Sequence, residues 1–232
     1  MLCNMSSLSK EKIIKSKNRV RDQGEVFTRE REVKNILALT QATDNIFWKF
    51  LEPACGDGNF LVEIVRQRLM RIKQTPTYRP ADKREYAIVK MISTIYGVDI
   101  ADDNIAECKK RIMDEMFMFA PKKSSAAFLL AVKNILDTNI QLGDMLNGKD
   151  KVFFVEYGFH GAEYITKASV KRKVYALTSM ENGDDSVSEE FPLVKLSAME
   201  PINLAKYHPK PFGNIDLMSG QATLFYKESG NV

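Results

Sequence analysis

The chain has 232 residues, 44% of them apolar, and 34 Lys and Arg against 30 Asp and Glu give a net charge of +4. That apolar content can fill a core, which excludes a globally disordered chain. No apolar run approaches the roughly 18–20 residues of a helical membrane span. Three cysteines, Cys3, Cys55 and Cys108, are too few and too scattered for a disulfide framework or a metal-ligand set, and two histidines, His160 and His208, leave little room for a histidine metal site or a Ser-His-Asp triad. The N-terminus lacks the apolar segment of a signal peptide, and the expected setting is reducing and cytoplasmic.

Residues 1–9 read as a frayed end and residues 10–20 as a polar helix. Residues 10–34 gather Lys10, Lys12, Lys15, Lys17, Arg19, Arg21, Arg29, Arg31 and Lys34 against Glu11, Asp22, Glu25, Glu30 and Glu32. Such a stretch suits the tracking of nucleic-acid phosphates, and equally a solvated helix face. RDQGEVFT (21–28) reads as a loop. From Arg29, the spacing of Val33, Ile36, Leu37 and Leu39 predicts a helix. FWKFLEP (47–53) is apolar and aromatic and ends at a proline, the pattern of a buried strand. Leu61, Ile64, Val65 and Leu69 predict one buried stripe on a helix over 59–73. A loop over 74–84, a helix over 85–91, a strand over 93–100 and a helix over 103–119 follow. AAFLLAVKNIL is a further apolar helix, and TNIQLGDML (138–146) is a third strand with its exit loop. Strands alternating with helices predict a parallel sheet with helices packed on it.

After Gly148 the pattern changes. KVFFVEYGF predicts a fourth strand. KRKVYALTSM and FPLVKLSAM predict further strands or an irregular cap, with MENGDDSVSEE as an exposed acidic loop. The last stretch, HPKPFGNIDLMSGQATLFYKESGNV, reads as a tail or linker.

Three places carry chemistry. In Glu52-Pro53-Ala54-Cys55-Gly56-Asp57-Gly58-Asn59, a strand ends in an acid and turns through two glycines into a helix. Such a turn lets a ligand approach the backbone, beside the free N–H groups of a helix start. Gly97-Val98-Asp99-Ile100 places an acid at the end of the second strand, where a ribose offers two hydroxyls. Gly143-Asp144-Met145-Leu146 places another at the end of the third, able to accept from a purine amino group. Either aspartate alone is equally a turn or helix-cap residue. Together, at three successive strand ends, they predict one polar small-molecule site.

These residues resemble the S-adenosyl-L-methionine (SAM)-dependent adenine-N6 DNA methyltransferases of bacterial restriction–modification systems, the group whose motif order begins with the SAM-binding motifs. Residues 21–28 look like that family's N-terminal motif, Glu52–Leu61 like its first motif, Gly97–Ile100 like its second and Gly143–Leu146 like its third. The resemblance covers roughly residues 18–155. It implies an α/β class I methyltransferase (Rossmann-like) fold, a mostly parallel sheet with helices on both faces, with SAM as cofactor. It places Phe27 and Thr28 over the methionine end, Glu52, Ala54, Gly56 and Gly58 around the methionine moiety, Asp99 and Ile100 at the ribose end, and Asp144 at the adenine ring. The division it implies is a basic arm (1–20), a SAM-binding core (21–150), remaining strands or cap (151–206) and a tail (207–232).

The chain departs from the family in three respects. The N-terminal motif continues Thr28-Arg29 where the family has Thr-Pro. No two adjacent prolines occur, so the catalytic Asn/Asp/Ser-Pro-Pro-aromatic tetrapeptide is lacking. At that place stand Val155-Glu156-Tyr157-Gly158-Phe159, with Glu156 as a candidate acceptor and Phe159 as a candidate stacking ring for a flipped base. The residues after the third motif hold no recognisable DNA-reading module. The expected partners are double-stranded DNA and a subunit carrying catalytic or specificity functions. In the tail, Gln221, Leu224 and Phe225 resemble the short peptide by which bacterial and phage proteins dock on the replication sliding clamp.

Overall fold

The computed structural model describes residues 15–23, 26–40, 43–148, 152–176, 188–200, 214–216 and 223–225, the last two segments as backbone. Two helices, α1 (Lys17–Gln23) and α2 (Glu30–Thr40), lead into β1 (Phe50–Glu52), α3 (Asn59–Gln74), α4 (Ala81–Ile92), β2 (Ile95–Asp99), α5 (Asp102–Phe119), α6 (Ala126–Asn139) and β3 (Ile140–Leu142). The three strands form a parallel sheet in the spatial order β1-β2-β3, with Glu52 opposite Gly97 and Asp99 opposite Leu142. The architecture is α/β, as strands separated by helical connections require. All three strands therefore finish at one edge of the sheet.

The stripe on α3 is buried as its periodicity demands: Leu61, Ile64, Val65 and Leu69 are at most 1% exposed. These residues share a core with Ile95 and Ile140 of the sheet. The helix lies so close that a Cβ on Gly97 would stand 2.8 Å from Leu61 Cδ1, which is why β2 carries a glycine there. On the other face of the sheet, Tyr96 and Val98 pack with Val152 and Phe154. Helices on both faces are thus not what the described residues form, since this second cluster contains no helical residue. The strands advance in one direction, and right-handed connections then all fall on one side.

A second sheet follows, antiparallel, from β4 (Phe153–Gly161), β5 (Ala168–Ala176) and β6 (Ser188–Pro192) in that order. FPLVKLSAM is only briefly strand: Pro192 ends β6, and a 3-10 segment, Leu193–Ala198, buries Leu193 and Leu196. The Tyr96 hydroxyl donates to the Val155 carbonyl at 2.8 Å, and Gln141 Nε2 donates to the Phe153 carbonyl at 2.7 Å, pinning β4 across the parallel sheet. Phe153, Val155, Tyr157, Val170 and Val174 join the same core as α3–α6, so hydrophobic packing runs unbroken past residue 150.

Several boundaries move from their expected places. The arm-to-core division at residue 20 falls inside α1. Helix α4 begins at Ala81, four residues before the expected start. Helix α6 continues to Asn139 where TNIQL reads as strand, because the Thr138 hydroxyl bonds back to the Asn134 carbonyl at 2.9 Å and Asn139 Nδ2 reaches the Ile95 carbonyl at 3.1 Å. In the tail, β7 (Asn214–Asp216) pairs antiparallel with β8 (Thr223–Phe225). Leu224 and Phe225 of the clamp-peptide pattern lie in β8, while Gln221, residues 1–9 and most of MENGDDSVSEE lie outside the described residues. Among the described residues no helix is long and apolar enough to cross a membrane.

Candidate functional site

A cleft of about 580 Å³ opens at the edge where the parallel strands end. This is the size of a small-molecule site, and the crevice outside the carboxyl ends of parallel strands is the usual place for one. Three loops build it, one after each strand, and the segment Val26–Thr28 closes it from the N-terminal side. Eight of the nine residues expected around the cofactor line it: Phe27, Thr28, Glu52, Ala54, Gly56, Asp99, Ile100 and Asp144.

The loop after β1 owes its shape to two glycines in the left-handed region, Gly56 at φ 53° and Gly58 at φ 90°. They do different work. A Cβ on Gly56 would meet the Phe27 ring at 3.2 Å, so the missing side chain lets that ring lie over the loop. Gly58 does not line the cleft, which corrects its expected place beside the ligand. A Cβ there would stand 2.5 Å from Cys108 Sγ, so Gly58 lets α3 start hard against α5. From α5, Arg111 clamps the same loop. Its guanidinium donates to the Asp57 carbonyl and to Asn59 Oδ1, both at 2.8 Å, and pairs with Asp57 Oδ2 at 3.0 Å. Asn59 Nδ2 in turn donates to the Thr28 carbonyl at 3.0 Å, tying the N-terminal segment to the start of α3.

The carboxylates sit in distinct environments. Asp99 Oδ2 accepts the Gly56 N–H at 2.8 Å, and its Oδ1 accepts the Ala101 N–H at 2.9 Å and Asn104 Nδ2 at 3.1 Å. An ionised carboxylate has about four acceptor sites. The described residues fill three, two on Oδ1 and one on Oδ2. Asp144 closes its own turn: Oδ1 takes the N–H groups of Leu146 and Asn147 at 2.8 and 2.9 Å, and Oδ2 takes Asn147 Nδ2 at 3.1 Å. Those bonds hold its carboxyl below the usual range. Burial pushes the Glu52 carboxyl up, against a hydrogen bond from the Ala54 backbone. Burial likewise raises Asp57, against the charge of Arg111. The thiol of Cys55, which also lines the cleft, is pushed up by its hydrogen bond with Cys108 and then by burial, which makes it a poor nucleophile.

Four carboxylates therefore line the cleft, Glu52, Asp57, Asp99 and Asp144, and among the described residues no Lys, Arg or His does. No group of described His, Cys, Asp and Glu residues is arranged to hold a metal ion.

The two candidates for acceptor chemistry are not brought to this cleft. Glu156 pairs with Lys49 and accepts the Tyr175 hydroxyl at 3.1 Å. The Lys49 bond holds its carboxyl below the usual range. Phe159 packs edge-on against Tyr86 with ring centroids 5.8 Å apart. Three positions apart on β4, the two side chains leave by opposite faces of the strand and cannot grip one base together. Part of the basic arm is also spent inward: Lys15 and Arg19 both pair with Asp103 at the start of α5.

Sequence reasoning missed Asn104, which is 2% exposed and lines the cleft beside Asp99. The signal was its place in the first turn after β2, since that turn must lie at the same sheet edge as the strand's last residue. No protein-family model, no curated protein and no solved structure matches the chain.

Proposed function

We propose that the cleft binds SAM and that the chain is a DNA adenine-N6 methyltransferase-like protein built on a class I methyltransferase fold. The observation that carries this reading is the charge of the lining: four carboxylates and, among the described residues, no cation. Phosphates of a dinucleotide or nucleoside triphosphate would be repelled there. SAM has no phosphate and carries both a sulfonium and an ammonium. The loop argues the same way. A dinucleotide-binding G-x-G-x-x-G would place its third glycine at position 61, where Leu61 is fully buried.

In this reading Asp99 accepts from the ribose through Oδ2, Ile100 flanks the ring system, and the Asp144 loop faces the adenine amino group. Glu52, Ala54 and Gly56 surround the methionine moiety under Phe27 and Thr28. The sulfonium supplies an electrophilic methyl group. What the chain's residues contribute is orientation and counter-charge. Glu156 and Phe159, held away from the cleft, favour an acceptor grip supplied by a partner subunit, with double-stranded DNA as substrate and the tail peptide Gln221, Leu224 and Phe225 docking a sliding clamp. The same separation favours a second reading, a SAM-binding pseudo-methyltransferase serving as subunit or regulator in a restriction or anti-phage system.

The test is calorimetry with SAM, ATP and NAD, followed by incubation of the chain alone with methyl-labelled SAM and unmethylated mixed-sequence DNA. SAM binding without ATP or NAD binding is expected. Binding of either phosphate ligand in preference to SAM would overturn the reading. Label on adenine would mean transfer without a partner. Bound SAM with unlabelled DNA would leave the partner-dependent enzyme and the regulator, which adding the partner separates.

A further inference from the structure

The N-terminal arm reaches the cleft through one buried amide. Lys15 Nζ donates to Asn104 Oδ1, and also to Asp103 Oδ2 at 2.9 Å. Arg19 Nη1 donates to the same Asp103 oxygen at 2.6 Å, so two cations of the arm are seated on the first turn of α5. From the other end of that amide, Asn104 Nδ2 donates to Asp99 Oδ1 at 3.1 Å. The Lys15 ammonium also stands 5.8 Å from the centre of the Phe27 ring, and Phe27 covers Gly56, whose N–H donates to Asp99 Oδ2.

We infer that Lys15 and Asn104 are positioning residues for Asp99, so that the arm sets the affinity of the cleft for a ribosyl ligand. A carboxamide has a donor end and an acceptor end of nearly equal size. Sterics alone do not decide which end faces Asp99. The charges at its two ends decide it together: the Asp99 carboxylate can only accept and takes the amino group, and the Lys15 cation can only donate and holds the oxygen. Turned over, the amide would put its oxygen against Asp99, and at 2% exposure Asn104 has little water to offset that repulsion. With Oδ1 of Asp99 saturated by Asn104 and the Ala101 N–H, the one acceptor site that the described residues leave open is on Oδ2. Lys15 thus reinforces the setting of the carboxylate without touching it. The inference rests on the ribosyl-ligand reading of the cleft, and goes beyond it in naming the arm as the cleft's remote control.

The experiment uses the full chain and two probes, adenosine and 2′,3′-dideoxyadenosine, with SAM as reference. The wild-type chain is expected to prefer adenosine by about tenfold, the scale of a charged hydrogen bond to a hydroxyl. Lys15→Met should shrink that preference to about threefold or less and leave dideoxyadenosine binding unchanged. Lys15→Arg should keep it. Asn104→Asp, which sets a second carboxylate against Asp99, should erase it independently. An undiminished preference in Lys15→Met, or an equal loss for both probes, overturns the relay. A wild-type chain that binds neither SAM nor adenosine overturns the reading of the cleft itself, and the relay with it.

Discussion

The two sheets of this molecule treat their polar side chains in opposite ways. At the end of the parallel sheet, Glu52, Asp99 and Asp144 stand where three loops converge and line one cleft. On and beside the antiparallel sheet, comparable groups are neutralised by neighbours: Glu156 of β4 by Lys49 and Tyr175, and Asp82, at the start of α4, by Ile165 and Thr166 of the β4–β5 turn at 2.9 and 3.0 Å. The difference follows from topology. Parallel strands all point the same way, so their ends and the loops after them collect on one edge. Antiparallel strands alternate in direction, and cross-strand partners such as Glu156 and Lys173 face each other along the ladder. In the first arrangement carboxylates gather at one cleft, where Asp99 keeps an acceptor site that the described residues do not fill; in the second, Glu156 is spent on its neighbours.

The largest expected contrast lies between two glycines. Gly58→Ala forces a Cβ into Cys108 at a positive φ and should cost about 3 kcal/mol or more in chemical denaturation. Gly158→Ala on β4, whose nearest neighbours would be His160 Nε2 at 3.4 Å and Lys171 Cβ at 3.8 Å, should change stability by about 0.5 kcal/mol at most. Equal costs at the two positions would mean that the helix start at the cleft is not the tightly packed point of the fold.

A smaller contrast separates the acids. Asp99→Ala should raise the dissociation constant for SAM at least about tenfold, and Glu156→Gln should leave it within about twofold, both by calorimetry. A loss in Glu156→Gln matching that in Asp99→Ala would join the two regions into one site and break the comparison.

The smallest effect belongs to the arm's latch. Bonds from Arg19 and then Lys15 hold the Asp103 carboxyl below the usual value of 3.8. A depressed carboxylate contributes stability that is complete above its unfolded value and fades as pH falls through the lower folded value. Asp103→Asn should therefore lower the melting temperature by the same few degrees at pH 7 and at pH 5, and by less in high salt, since the pair is exposed. A gap that closes between pH 7 and pH 5 would show that Asp103 is not held low.

Much of the cleft was legible in advance because its signals are local. An apolar stripe with helical spacing states which face of α3 is buried, Gly56 and Gly58 announce a turn no other residue makes easily, and an acid closing each of two strands needs only the strand's end to be located. The alternation of strand and helix carries the parallel sheet in the same way. What the residues could not state is which side chains meet across long stretches of chain. Gly58 reads as a ligand-loop glycine until α5 is laid against it and Cys108 fills the space its side chain would need. Glu156 and Phe159 read as a pair until β4 turns them to opposite faces. Lys15, in a stretch that reads as a basic face, ends on Asn104 and Asp103, because only in the folded chain does the start of α5 bring a carboxylate and an amide oxygen beside the arm. Local periodicity decides which elements form and where the loops gather; packing between distant elements decides which charges those loops leave free.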